Sequence, residues 1–229
     1  MRGRKYIMVD EWGPLDPTES AVFPKRVVAW EECAFHVLGP TGDYEITELA
    51  GEVTLEKGPK TLRVRPTASG ATLFTAKVRV GGKEFPIEGT VLRAEWNVRF
   101  WKWQTDPRED ADAWTKLLAT QPLHELKTGK LDFRWQHEAP AKKVPGDGFA
   151  TRAVTKMKLP KGIYELRTVS DDGVRVLIDG KPVLENWTWH GPTENKAVYE
   201  TTGKVHEIVI EHFELDGWAR LSFDLRPLP

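Results

Sequence analysis

Apolar and polar residues alternate with a period of two along most of the chain, and that rhythm predicts short β-strands. "TLRVRP" (61–66) alternates cleanly. "AKVRVGGKEFPIEG" (76–89) is two such runs around Gly81-Gly82, a pair suited to a primed hairpin turn. "YEITEL" (44–49) and "VVAWEECAFHVLG" (27–39) add β-rich stretches, so residues 1–92 are expected to form a small antiparallel β-sandwich. Further on, "GIYELRTVS" (162–170) sets Tyr164, Leu166 and Thr168 on one face, with Glu165 and Arg167 on the other. "VRVLIDGKPVLENW" (174–187) turns at Asp179-Gly180, and Pro182, which has no N–H for a ladder, places the return strand at a sheet edge. "VHEIVIEHF" (205–213) and "WARLSFDLR" (218–226) close the chain. The last of these turns Ala219, Leu221, Phe223 and Leu225 inward and Arg220, Ser222, Asp224 and Arg226 outward, as in a sheet with one buried face.

One segment departs from this rhythm. In "TDPREDADAWTKLLATQP" (105–122), Ala111, Trp114, Leu117 and Leu118 recur at three- and four-residue spacing, the stripe of an amphipathic helix. Asp106 is the expected N-cap, with Pro107 at the first helical position and Glu109 at the third, and Pro122 the expected stop. The fold class is therefore all-β with one short helix.

Charge balance and composition narrow the function classes. Lys and Arg total 33 against 34 Asp and Glu, a net charge of −1, and beyond "MRGRK" at the start there is no basic run of the kind that binds nucleic acid. Cys33 is the only cysteine, so neither an intrachain disulfide nor a cysteine-built zinc site can form. No apolar run approaches the ~20 residues of a membrane span, and no signal-peptide core is present. An exported protein would be represented here by its mature form or a piece of it. Ten tryptophans stand out. Indole rings serve either as stacking platforms for sugars or, more commonly, as core and corner residues.

Catalytic motifs are missing. "HEIVIEH" (206–212) places His206 and His212 six residues apart, on one face of a strand but about 20 Å from each other at ~3.3 Å per residue, not at the helical spacing of a zinc protease. There is no Gly-x-Ser-x-Gly elbow, phosphate loop or dinucleotide fingerprint. Cys33 and the nearby His36 have no identifiable third partner, which leaves a buried thiol. Adjacent acids such as Glu31-Glu32 do not bracket a glycosidic bond. The chain is expected to be non-catalytic.

The segment "GIYELRTVSDDGVRVLIDGKPVLENWTWHG" (162–191) follows a helix, "DFRWQHE" and a Gly/Pro-rich loop, and precedes "HEIVIEHFELDGWARLSFDL". This order resembles the PA14 domain over residues 93–229, most specifically from Tyr164 through His190. Residues 1–92 resemble no family. The resemblance implies a twisted antiparallel β-barrel, one module of a larger exported protein. Such modules accompany glycoside hydrolases, adhesins and toxins. In lectin-like members, two adjacent aspartates joined by a cis peptide hold Ca²⁺ at the mouth of a sugar pocket. Asp171 and Asp172 match that pair, with Asn195 and Asp216 as candidate further ligands by residue type. Without an ion, Asp171-Asp172-Gly173 reads as a solvated turn whose carboxylates bond backbone amides.

Trp187, Trp189 and His190 follow the hairpin. Trp187 is expected to plug the barrel end, Trp189 to form the more exposed platform, and Asp216-Gly217-Trp218 to make the turn between the last strands or a second site loop. The resulting expectation is a calcium-dependent carbohydrate-binding module, extracellular, cell-surface or periplasmic. Its partner would be a glycan or polysaccharide, with a catalytic domain elsewhere in the same parent chain. The alternatives are a docking domain without sugar binding, or an accessory domain of a glycoside hydrolase.

Overall fold

The computed structural model describes residues 19–39 and 42–228; the basic "MRGRK" start lies outside them. Among the described residues all regular elements but one are strands. The chain divides into two compact units between Arg93 and Ala94.

The first unit contains β1 (Ala21–Phe23), β2 (Arg26–Trp30), β3 (Cys33–Leu38), β4 (Tyr44–Ala50), β5 (Val53–Lys57), β6 (Thr61–Pro66), β7 (Gly70–Val80) and β8 (Lys83–Arg93). Two four-stranded sheets result, β1-β3-β6-β5 and β4-β7-β8-β2. Phe35, Val37, Leu62, Val64, Phe74, Val78 and Val91 fill the core, joined by the buried thiol of Cys33. The Gly81-Gly82 turn takes positive φ at both residues, as a primed turn requires. One pairing departs from the all-antiparallel expectation: β2 runs parallel to β8, with Arg26 opposite Glu88 and bonded to it at 2.7 Å. Alternation specifies which face of a strand is buried, not the direction of its neighbour.

The second unit contains β9 (Trp96–Lys102), α1 (Ala111–Leu118), β10 (His124–Thr128), β11 (Asp132–Gln136), β12 (Phe149–Lys158), β13 (Gly162–Asp171), β14 (Val174–Ile178), β15 (Lys181–Asn186), β16 (Thr193–Thr201), β17 (Val205–Glu214) and β18 (Ala219–Pro227). One sheet runs β10-β9-β12-β17-β14-β15 and the other β11-β18-β13-β16, every pair antiparallel. The strand with Pro182, β15, is indeed an edge, and β18 buries the four residues whose parity assigned them inward. Asp179 and Gly180 both take positive φ in their hairpin turn.

Strand β17 is buried on both faces from Ile208 to Glu214, so its polar residues Glu211, His212 and Glu214 are buried with its apolar ones. On one side His212 and Ile210 face the interior of the unit; on the other, Phe213 joins Trp101, Trp114 and Ala150, with Trp187, Leu117 and Leu118 packed around them. Helix α1 begins four residues later than the sequence pattern implied. Its N-cap is Asp110, whose carboxylate accepts from Ala113 N at 2.9 Å, whereas Asp106 organises a preceding turn by accepting from Arg108 N. It ends at Leu118, before Pro122, and leaves Ala111 exposed. Both aspartates are competent caps. The residues before Asp110 are held in a turn, with Trp187 Nε1 donating to Pro107 O at 3.0 Å, while Trp114 within the helix donates its indole N–H to Glu211 Oε2 on β17 (3.0 Å).

Candidate metal and ligand site

The chain leaves one sheet and enters the other between β13 and β14, and the corner is Asp171-Asp172-Gly173. Gly173 is required by close approach: a Cβ there would lie 2.2 Å from Phe213 Cε1 and 2.4 Å from Cζ. The backbone is pinned to β17 by Phe213 N donating to Gly173 O, and His212 Nε2 donates to Asp171 O at 3.0 Å. Burial pushes the His212 imidazole down to about 4, so it is neutral at physiological pH, with Thr151 Oγ1 near its other nitrogen. The Asp171–Asp172 peptide is cis.

The two carboxylates have different surroundings. Asp172 accepts from His190 N through Oδ1 (3.1 Å) and from Leu215 N through Oδ2 (2.8 Å). One buried side chain thus ties together the loop from β15 to β16 and the loop from β17 to β18. Each loop carries an outward tryptophan, Trp189 at 61% exposure and Trp218 at 49%. Asp171, 4% exposed, has its carboxyl pushed up to about 6, first by burial and then by the charge of Asp172. Asp172 is also raised by burial, against which its two amide donors act.

A third carboxylate completes the group. Glu214, at the end of β17, is 0% exposed, and neither of its carboxylate oxygens has a hydrogen-bond partner. Its backbone carbonyl is held by the indole N–H of Trp103 at 3.0 Å. Ligating oxygens of Asp171, Asp172 and Glu214 all lie within 4.8 Å of one another. Burial, followed by the charges of Asp172 and Asp171, pushes Glu214 up to about 10. The nearby guanidinium of Arg108 is engaged with Asp106 at 2.6 Å. An all-oxygen, all-carboxylate donor set suits a hard divalent cation such as Ca²⁺, and a buried carboxylate pair of oxygens with no partner is an observation that such an ion would satisfy.

The residues singled out from sequence separate into groups. Asp171 and Asp172 converge. His190 and Trp189 lie on one adjoining loop, Asp216 and Trp218 on the other; Asp216 is exposed, and its charge raises Asp172 and Glu214. Trp187 instead packs edge-on against Phe213 and Trp114, donates to Pro107 O and lies under Arg175. Asn195, opposite Thr168 on β13, has its Oδ1 engaged by Asn186 Nδ2 at 3.2 Å. Glu214 was missed, although a signal existed. It shares the inward parity of His206, Ile208, Ile210 and His212, and a carboxylate at an inward position of a buried strand calls for a partner.

Comparison with known proteins bears on this unit. The PA14 domain model matches residues 113–228, half of the chain. The anti-sigma-I factor RsgI3 of Acetivibrio thermocellus is 30% identical over 87 residues, covering 37% of this chain and 13% of that protein, so the chain corresponds to a small part of that relative. Among solved structures, the PA14 domain of the antifreeze protein MpAFP superposes with a TM-score of 0.50 at 13% identity, covering 58% of this chain and 81% of the other. A PA14 sugar-binding domain from an RTX adhesin gives 0.45 at 14% identity over 58% and 89%.

Proposed function

The chain belongs to the PA14 domain family, and from that premise we propose that it is a non-catalytic, calcium-dependent carbohydrate-binding module of a larger exported protein. The observation that carries this reading is the convergence of buried carboxylates at the Asp171-Asp172 corner directly beneath two loops with outward tryptophans. Asp171 and Asp172 would hold the ion. A calcium ion so held supplies free coordination positions for sugar hydroxyls.

The chain's own residues provide the rest. Asp172 fixes both loops through one amide each, so the position of Trp189 and Trp218 is coupled to the corner. Their indole faces match the apolar faces of pyranose rings, and Asp216 and His190 offer polar contacts at the same end. Extracellular calcium modules work at ~10⁻⁴–10⁻³ M affinity, which suits a cell-surface or secreted setting. The similarity to one segment of an anti-sigma-I factor fits a module within a longer chain.

Thermal melting with calcium and with chelator tests the metal half. Calcium at 100 times its Kd should stabilise the fold by about 2.7 kcal/mol, and the Asp171→Asn/Asp172→Asn variant should lose that gain. A glycan array in calcium tests the sugar half, with Trp189→Ala reducing the signal at unchanged melting temperature. A wild-type protein that melts identically in both buffers and retains no glycan removes the proposal in favour of a docking domain.

A further inference from the structure

We propose that Glu214 is the third protein ligand of this cation, making the site a three-carboxylate cage and not an aspartate pair completed by a neutral amide. The proposal rests on the calcium reading above and adds the residue that sequence order did not reveal.

Three alternatives for Glu214 are closed by the structure. It is not a solvated acid, because it is fully buried. It is not held by a donor, because both carboxylate oxygens lack a partner. Nor is it ion-paired among the described residues. Arg152 and Arg175 are engaged with Glu211, and Arg108 with Asp106. Arg220 stands across the ladder from Asp171 on the same side of β18 as Ser222 and Asp224, and makes no ion pair with any of the three carboxylates. A buried carboxylate with nothing to accept from is costly to keep, and one of its oxygens lies within 4.8 Å of a carboxylate oxygen on each aspartate. An oxygen-seeking divalent cation answers all of these at once.

The elements make this arrangement reproducible. Glu214 ends β17, opposite Phe149 on β12, while His212, two residues earlier, donates to the carbonyl of Asp171. The β17 strand therefore anchors the corner backbone and delivers the third carboxylate to it. Affinity in oxygen-ligand calcium sites rises with the number of charged ligands, so a third carboxylate makes the site tighter than two aspartates alone.

The test is calcium titration calorimetry on the full chain, wild type against Glu214→Gln, with terbium luminescence sensitised by tryptophan as a second probe of the same site. Glu214→Gln keeps the side-chain size and should fold in chelator, checked by far-ultraviolet circular dichroism. Its calcium affinity should fall tenfold or more. If the wild type binds calcium and Glu214→Gln binds it within twofold, Glu214 is not a ligand and the proposal fails while the calcium reading stands. If the wild type binds neither calcium nor terbium, both fail. Should Glu214→Gln not fold, wild-type crystals grown with terbium decide the matter by anomalous density. A Glu214 oxygen at ~2.3–2.6 Å from the ion supports the assignment, and one beyond hydrogen-bond reach overturns it.

Discussion

Gly173→Ala adds a single methyl group at the corner that carries the site, and the structure gives its consequence. The new Cβ would lie 2.2 and 2.4 Å from Phe213 Cε1 and Cζ, where carbon atoms normally rest ~3.5–4.0 Å apart. The ring must therefore recoil by roughly 1–1.5 Å. It has little room, because Phe213 is fully buried and backed by Trp187 at 4.7 Å between ring centroids, with Trp114 behind that at 4.9 Å. Overpacking of this kind costs about 1–3 kcal/mol. The unit from Ala94 to Pro229 is intermediate between the size classes for which 1 kcal/mol moves Tm by about 4–8 °C and about 2–4 °C. A fall of roughly 3–15 °C follows, read by scanning calorimetry in chelator. Because Asp172 is the next residue, calcium affinity should drop in parallel. Phe213→Leu in the Gly173→Ala background should recover part of the loss, with a coupling energy of about 0.5–3 kcal/mol. A Gly173→Ala protein melting within 1 °C of wild type, or strict additivity with Phe213→Leu, would show that the ring does not police this corner.

Two further outcomes follow from buried charge. Glu211, 6% exposed, accepts from Trp114 Nε1 and from Arg175 at 2.8 Å and faces Arg152 at 3.3 Å; Glu211→Ala strands these donors and should cost about 3–5 kcal/mol, seen in urea as a lower midpoint at unchanged slope, whereas a loss under 1 kcal/mol would refute the role assigned to this cluster. In chelator, the raised Glu214 carboxyl contributes stability that is fully present below its ordinary value and is lost as pH climbs towards about 10, and Asp171 adds the same trend up to about 6. His212 acts oppositely, since its depressed value costs stability as pH falls from about 6.5 towards about 4. The Tm of Glu214→Gln minus that of wild type, both in chelator, cancels the histidine contribution and should grow from pH 5 to pH 9; a flat difference contradicts the electrostatic account.

What could be read from residue order was local. Gly81-Gly82 and Asp179-Gly180 announced their hairpins because positive φ is needed at both turn positions and few residues supply it. The parity of β18 and the edge position of β15 followed from alternation and from the missing N–H of Pro182. Asp171 and Asp172 were visible because they are neighbours in the chain. Tertiary structure decided whatever depended on which surfaces meet. Asp110 and not Asp106 caps the helix, with Pro107 O held by the indole of Trp187 from a distant strand end, and β2 lies parallel to β8, a direction that alternation does not encode. Trp187 and Trp189 are two residues apart, yet one is enclosed by Phe213 and Trp114 while the other faces outward. Glu214 belongs with the aspartates only because β17 ends where the chain turns from one sheet into the other. Local conformational preferences act over a few bonds, whereas a cluster of like charges exists only once folding has forced them together and left something else to neutralise them.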